Sequence, residues 1–389
     1  MCDMKIKLSL ILIAASVLGG CAEIKTVSGP RYHTQFALRQ SGLVTAKVVN
    51  GAGEEIQTLF QDRAFAAGQA SLSWDGKGLD GQSAPAGNYL VVLTEQQISL
   101  KPVSHFGGLG STPGRFLNPQ GLCAYPQGSR LTVAVADTGN QRVQILTDMG
   151  GFLQATGQLG TGDGNLNQPT AVCWDGQILT VCDSQNRRLA RFDERGIYLG
   201  EILQMTGLQT SISTKAILDF QSPVFIQKGS GDDFWVADSG YGVLFHMTST
   251  GGVLEEWGNP FPLALEGPFL QINGNFWAQS DHNQIQVINS SGNVTDKLKL
   301  DPPSQAVGGM AATPNYGIIS DPNQDLLYFV DGDGKTFETL TPPSVIQPTA
   351  LSLWEDHLFM IDASDHEVFH FQLVSQVVDQ MNLPLLTQP

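Results

Sequence analysis

The chain has 389 residues, of which 41% are hydrophobic and only 15% charged, with 43 glycines and a formal net charge of −16. Acidic charge spread over a chain this apolar excludes a nucleic-acid-binding protein, a protein drawn to anionic lipid headgroups, and an intrinsically disordered one. The length leaves room for two or three domains.

Lys5 and Lys7 precede an uncharged, mostly apolar stretch from Leu8 to Leu18, and Gly19, Gly20 and Cys21 follow directly. Such a stretch is too short for a bilayer, which needs about 20 apolar residues, but it suits the middle of a secretion signal. With Leu18 three residues before Cys21 and glycines between, the segment resembles the bacterial lipoprotein signal. The resemblance implies cleavage between Gly20 and Cys21, a covalent lipid on Cys21 as the only added group, a signal over residues 1–20 and a lipidated tether over 21–33. Ala22, in place of the Asp that retains lipoproteins at the inner membrane of enteric bacteria, implies the outer membrane, with the body facing periplasm or exterior.

From Gly42 to about Leu93 short alternating runs are broken by turn residues, as in Leu43–Val49, Asn50-Gly51-Ala52-Gly53 and Ile56–Phe60. These read as strands and tight turns. Trp74-Asp75-Gly76 and Pro85-Ala86-Gly87-Asn88-Tyr89 resemble the immunoglobulin-like domain of the flagellar hook-capping protein, which implies a small β-sandwich over residues 34–97 serving as spacer or docking module.

Beyond this the chain repeats itself. Pro119-Gln120-Gly121-Leu122-Cys123 leads to Val135-Ala136-Asp137, Pro169-Thr170-Ala171-Val172-Cys173 to Val181-Cys182-Asp183, and Ser222-Pro223-Val224-Phe225-Ile226 to Val236-Ala237-Asp238. These copies resemble NHL repeats, and the resemblance implies a β-propeller. Weaker copies are expected at Gln279, Asp331 and Asp362, giving an average period of about 45 residues, one four-stranded blade. The expected fold is therefore all-β: a sandwich followed by a six-bladed propeller over residues 98–376 and a C-terminal tail over 377–389. Ring closure needs an outer strand for the last blade, and Ile98–Phe106 is preferred to Val374–Met381.

The repeated pairs Asp137 with Arg142 and Asp183 with Arg188 are expected to be structural, each satisfying buried backbone groups and its partner. Gln279 and Gln284 look like a joint neutral replacement of such a pair. His33, His105, His246, His282, His357, His366 and His370 recur at no common blade position, so no zinc site is expected. Asp331-Gly332-Asp333-Gly334-Lys335 begins like a calcium loop but lacks the closing Glu and reads as a hairpin turn. Cys123, Cys173 and Cys182 read as core thiols, and Trp235, Trp257, Trp277 and Trp354 as packing between blades. No nucleophile elbow, phosphate loop or dinucleotide fingerprint occurs. The expectation is a non-enzymatic binding scaffold for envelope or cell-surface proteins, or for polysaccharide. The alternatives are a metal-dependent propeller hydrolase or lyase with its site in the central channel, and an assembly factor that acts through the sandwich.

Overall fold

The computed structural model describes residues 32–206, 217–229, 231–257, 267–272 and 274–387. The expectations for Gly20 and Cys21, most of the tether and most of a loop expected near Thr206–Leu218 lie outside the described residues. Strands make up nearly all the regular structure, and the only helical elements among the described residues are short 3-10 turns at Thr138–Asn140 and Ser184–Asn186.

Five four-stranded antiparallel sheets follow one another, spanning Gly121–Thr156, Pro169–Ile202, Pro223–Trp257, Phe269–Lys297 and Met310–Leu340. A sixth sheet begins with Pro348–Trp354, His357–Asp362 and Glu367–Pro384. Each sheet buries apolar side chains on both faces, so it needs a neighbour on each side. The packing supplies them in turn. Val143 and Ile145 of the first sheet meet Val181 and Phe192 of the second. Leu189 of the second meets Val236 and Phe245 of the third. Trp235 and Trp257 of the third meet Phe276 and Ile288 of the fourth. Trp277 of the fourth meets Ile319 and Tyr328 of the fifth. Phe329 of the fifth meets Met360 and Phe371 of the sixth. Phe359 and Val368 of the sixth then meet Val133 and Leu146 of the first. The succession closes on itself, which is the packing logic of a propeller.

The immunoglobulin-like sandwich stacks Tyr32–Leu38 and Gly68–Trp74 against Gly42–Asn50, Glu55–Phe65 and the start of Tyr89–Gly107. Trp74 fills its core beside Phe36, Val44 and Leu93, and its indole N–H donates to the Lys77 carbonyl at 2.7 Å.

The boundaries expected at 97/98 and 376/377 fall inside continuous strands. Tyr89–Gly107 is 19 residues long, about 60 Å at the usual rise. Its first part pairs with Gly42–Asn50 in the sandwich, and nearly its whole length pairs with Glu367–Pro384, from Leu90 opposite Pro384 to Gly107 opposite Glu367. Ile98–Gly107 is thus the outer strand of the sixth sheet, and the rival C-terminal segment continues the strand beside it. The tail expected over 377–389 is corrected: Val377–Pro384 is strand, and Leu386–Thr387 pairs with Tyr32–His33. The same pairing moves His33 out of the tether. Leu43, Ala64 and Ile98 also share one apolar cluster with Tyr316, Phe329 and Leu351.

A second correction concerns the fifth repeat. Asp331 ends the third strand of its sheet, Leu326–Asp331, whereas Asp321 ends the second, Tyr316–Asp321. With Asp321 in place, the steps between equivalents become 46, 55, 41, 42 and 41 residues. Asp331 belongs to another series, Thr147, Asn289, Thr248 and Asp193, each of which opens the outer hairpin of its sheet. In all of them the side-chain oxygen accepts the N–H four residues on, and the glycine three residues on donates to the opening residue's carbonyl. The calcium-like motif is one of five copies of this turn.

Candidate functional site

At the end of the second strand in five sheets stands a fully buried aspartate, and each accepts backbone N–H groups from the segment entering its own sheet. Asp137 takes Leu117 at 2.7 Å, Asp183 takes Asn167 at 2.6 Å and Asp321 takes Gln305 at 2.7 Å. Asp238 takes Gln221 at 2.8 Å and Ser222 at 3.0 Å, and Asp362 takes Ile346 at 2.8 Å. A carboxylate holds such N–H groups because the chain turns away there from any sheet partner.

Arg142 and Arg188 extend this device in the first two sheets only. Arg142 Nε donates to Asp137 at 2.7 Å while Nη2 reaches the Thr112 and Arg115 carbonyls. Arg188 Nε donates to Asp183 at 2.7 Å, Nη1 to Glu201, and Nη2 to the Gly162 and Asn165 carbonyls. Burial pushes the Asp183 carboxyl up, outweighing the hydrogen bonds from Asn167, Asn186 and Arg188 that pull it down. On Arg188 burial acts downward but is outweighed by Asp183 and Glu201, so its pKa rises. The fourth sheet departs from the pattern: Gln279 donates to the Val307 carbonyl at 3.1 Å, and Gln284 accepts from Lys297. The two glutamines therefore serve different partners and do not replace the ion pair together.

The segments fixed by these carboxylates form the rim of an axial cavity of about 390 Å³, to which all six sheets contribute. Its walls carry Leu122, Val172, Phe225, Met310 and Leu351, with Asn118, Gln120, Thr170 and Gln279 among the polar groups and no Asp, Glu, His, Lys, Arg or Cys. At its other end the same inner strands frame a smaller opening of about 230 Å³ beside Cys123, Cys173, Trp174 and Lys228. Glycine is required where these strands crowd: a Cβ on Gly121 would lie 2.4 Å from the Thr170 carbonyl oxygen. Leu109 and Leu159, both about two-thirds exposed, stand on the connections leading to the rim.

Cys123, Cys173 and Cys182 are free thiols, and burial pushes all three up, Cys123 to about 11. Thiols held that high stay protonated and poorly reactive. The histidines are scattered. His105 meets Glu367, His246 meets Asp233, His357 meets His370, and His366 accepts the Asn118 N–H. Among the described residues no three of His, Cys, Asp and Glu come together in a metal-binding arrangement. Trp235, Trp257 and Trp277 pack between sheets, but Trp354, at the turn joining Pro348–Trp354 to His357–Asp362, is 37% exposed and does not.

Comparison with known proteins gives one family match: residues 33–98 fit the FlgD Ig-like domain. No curated protein matches the chain. Among solved structures it is similar to virginiamycin B lyase from Staphylococcus aureus, at 13% identity over 75% of this chain and 88% of the other, with a TM-score of 0.47. It is similar to Kuenenia stuttgartiensis hydrazine synthase at 13% identity over 69% and 99%, TM-score 0.45, and to the WD40 β-propeller domain of Doa1 at 10% over 70% and 97%, TM-score 0.44. The chain is all-β, an immunoglobulin-like domain joined to a propeller-like array of four-stranded sheets.

Proposed function

We propose that the chain is an outer-membrane lipoprotein, anchored through lipid on Cys21, whose six-bladed NHL-type propeller is a non-enzymatic scaffold for protein partners of the cell envelope. One observation carries the scaffold reading: the cavity to which every sheet contributes is walled by apolar side chains and neutral polar groups, without an ionisable side chain among the described residues. General acid–base or nucleophilic chemistry needs such a group within hydrogen-bond reach of the substrate, whereas an apolar concavity with exposed leucines beside it suits recognition. The sandwich supports the reading by sharing a core with the propeller, which would hold the ring at a fixed attitude to the tether.

The test places a photo-crosslinking residue at Leu109, Leu117 or Leu159 in the intact protein expressed in its envelope. The expected result is a discrete adduct with the same envelope protein from these rim positions and none from Leu254 on an outer strand. Adducts of equal pattern from both places would overturn the assignment of the rim. One tightly held metal ion per purified chain would favour the hydrolase or lyase alternative. Loss of radiolabelled palmitate and of membrane association in Cys21→Ser tests the anchor.

A further inference from the structure

The third and sixth sheets carry the same constellation on the face they turn to the next sheet. His246 lies opposite Trp235 in one and His370 opposite Phe359 in the other, and each imidazole stacks on that aromatic ring, at 4.3 and 4.1 Å between centroids. Asp233 and His357, each the first residue of its strand, contact the same ring nitrogen, Nε2, of His246 and His370 at 2.9 and 2.8 Å. Against the sixth sheet, the outer turn of the first sheet closes the arrangement: Asp148 presents its carbonyl to His370 Nδ1 at 3.2 Å and to the Ser104 hydroxyl at 2.7 Å.

Against the third sheet the corresponding seam is open. Ser290 stands where Asp148 stands, Glu255 where Ser104 stands, and between them is a pocket of about 220 Å³ lined also by Trp235, Trp257, Phe276 and Gln271. His246 Nδ1 is buried there without a hydrogen-bond partner. Hydrogen-bond polarity accounts for the difference. His370 gives its Nδ1 proton to a carbonyl, whereas in the neutral imidazole of His246 the proton lies at Nε2 on the Asp233 carboxylate and Nδ1 carries a lone pair. A turn carbonyl cannot satisfy a lone pair. The group that complements this tautomer is a donor.

We propose that this inter-sheet pocket binds one hexopyranose unit of a glycan. A pyranose has a C–H face for the edges that the largely buried Trp235 and Trp257 contribute to the pocket wall, and hydroxyls that donate to His246 Nδ1 and Glu255 and accept from Gln271. A quaternary ammonium has no hydrogen to give Nδ1, and a purely apolar molecule would leave it unpartnered. The volume admits a single ring. The proposal stands apart from the protein-partner reading, which rests on the axial rim, and either can fail alone.

The test titrates the intact protein with the methyl pyranosides of glucose, galactose, mannose and N-acetylglucosamine, and with butylamine, following tryptophan emission and saturation-transfer NMR. At least one glycoside is expected to saturate with Kd of about 1–10 mM. His246→Phe, which keeps a ring on Trp235, and Glu255→Ala, at an exposed position, are each expected to weaken it at least about tenfold with unchanged circular dichroism. Should His246→Phe fail to fold, Glu255→Ala decides. No saturation by about 50 mM, saturation by butylamine alone, or binding indifferent to the substitutions would overturn the proposal.

Discussion

Asp238 shows what one carboxylate does in this ring. It has no arginine, since Val243 stands at that place, and it is held by the N–H groups of Gln221, Ser222, Gly240 and Tyr241. Burial raises its pKa despite them. Asp238→Ala would strand several donors in a dry site, and a loss of about 2–4 kcal/mol in urea unfolding is expected. A titration is expected at His370, whose pKa burial lowers, with His357 acting in the same direction and the Asp148 carbonyl opposing. With the folded value below the ordinary 6.5, the stabilisation is complete above about pH 6.5 and is lost as pH falls through the folded pKa. Melting temperature should therefore drop between pH 7 and 5, and His370→Phe, able to stack on Phe359, should flatten the drop. The buried aspartates were legible because an acid recurring beside a β-rich run has few other uses. Gln279 was not legible in its real role, since an amide pattern does not reveal that its donor reaches across to the next sheet.

The repeating outer hairpin explains both a success and an error in the sequence reading. Asp331-Gly332-Asp333-Gly334-Lys335 was recognisable as a turn because an Asx side chain followed by glycine satisfies its own backbone. The same motif displaced the fifth repeat, because Asp331 carries the residue type expected one strand earlier. In four of the five copies the glycine also meets the outer part of the preceding sheet: Gly150 meets Phe106, Gly196 meets Gln154 and Thr156, Gly292 meets Trp257 and Gly334 meets Leu298. Gly292 has φ +77° and a Cβ there would lie 2.5 Å from Trp257, whereas Gly128 has φ +64° with open space around it. Gly292→Ala is expected to cost about 2–4 kcal/mol and Gly128→Ala about 1 kcal/mol, read from denaturant midpoints.

For the molecule as a whole, periodicity and the sandwich motifs made the all-β architecture readable, but the joint between the parts was not. Val377, Asp379 and Gln380 read as part of a C-terminal tail because their partners lie in Thr94–Gln96, and nothing local advertises a pairing so distant in sequence. Because Leu43 and Ala64 share a core with Tyr316 and Phe329, sandwich and propeller are expected to melt in one calorimetric transition. Removing residues 377–389 should uncover the strand Leu90–Gln96 and lower that transition or split it in two. A truncated protein that kept the original single transition would contradict the role of the paired strand Glu367–Pro384 in joining the two parts.

The long ribbon also sets an order of events in the making of the protein. Ser99 bonds to Val374, 275 positions away, so the segment that completes the last sheet is synthesised early and must wait, unpaired, for nearly all the rest. Loop closure over that distance is slow and leaves strand edges open to wrong partners in the meantime. The ring latches only once Glu367–Pro384 has been made, so a chain still lacking that strand has no finished ring.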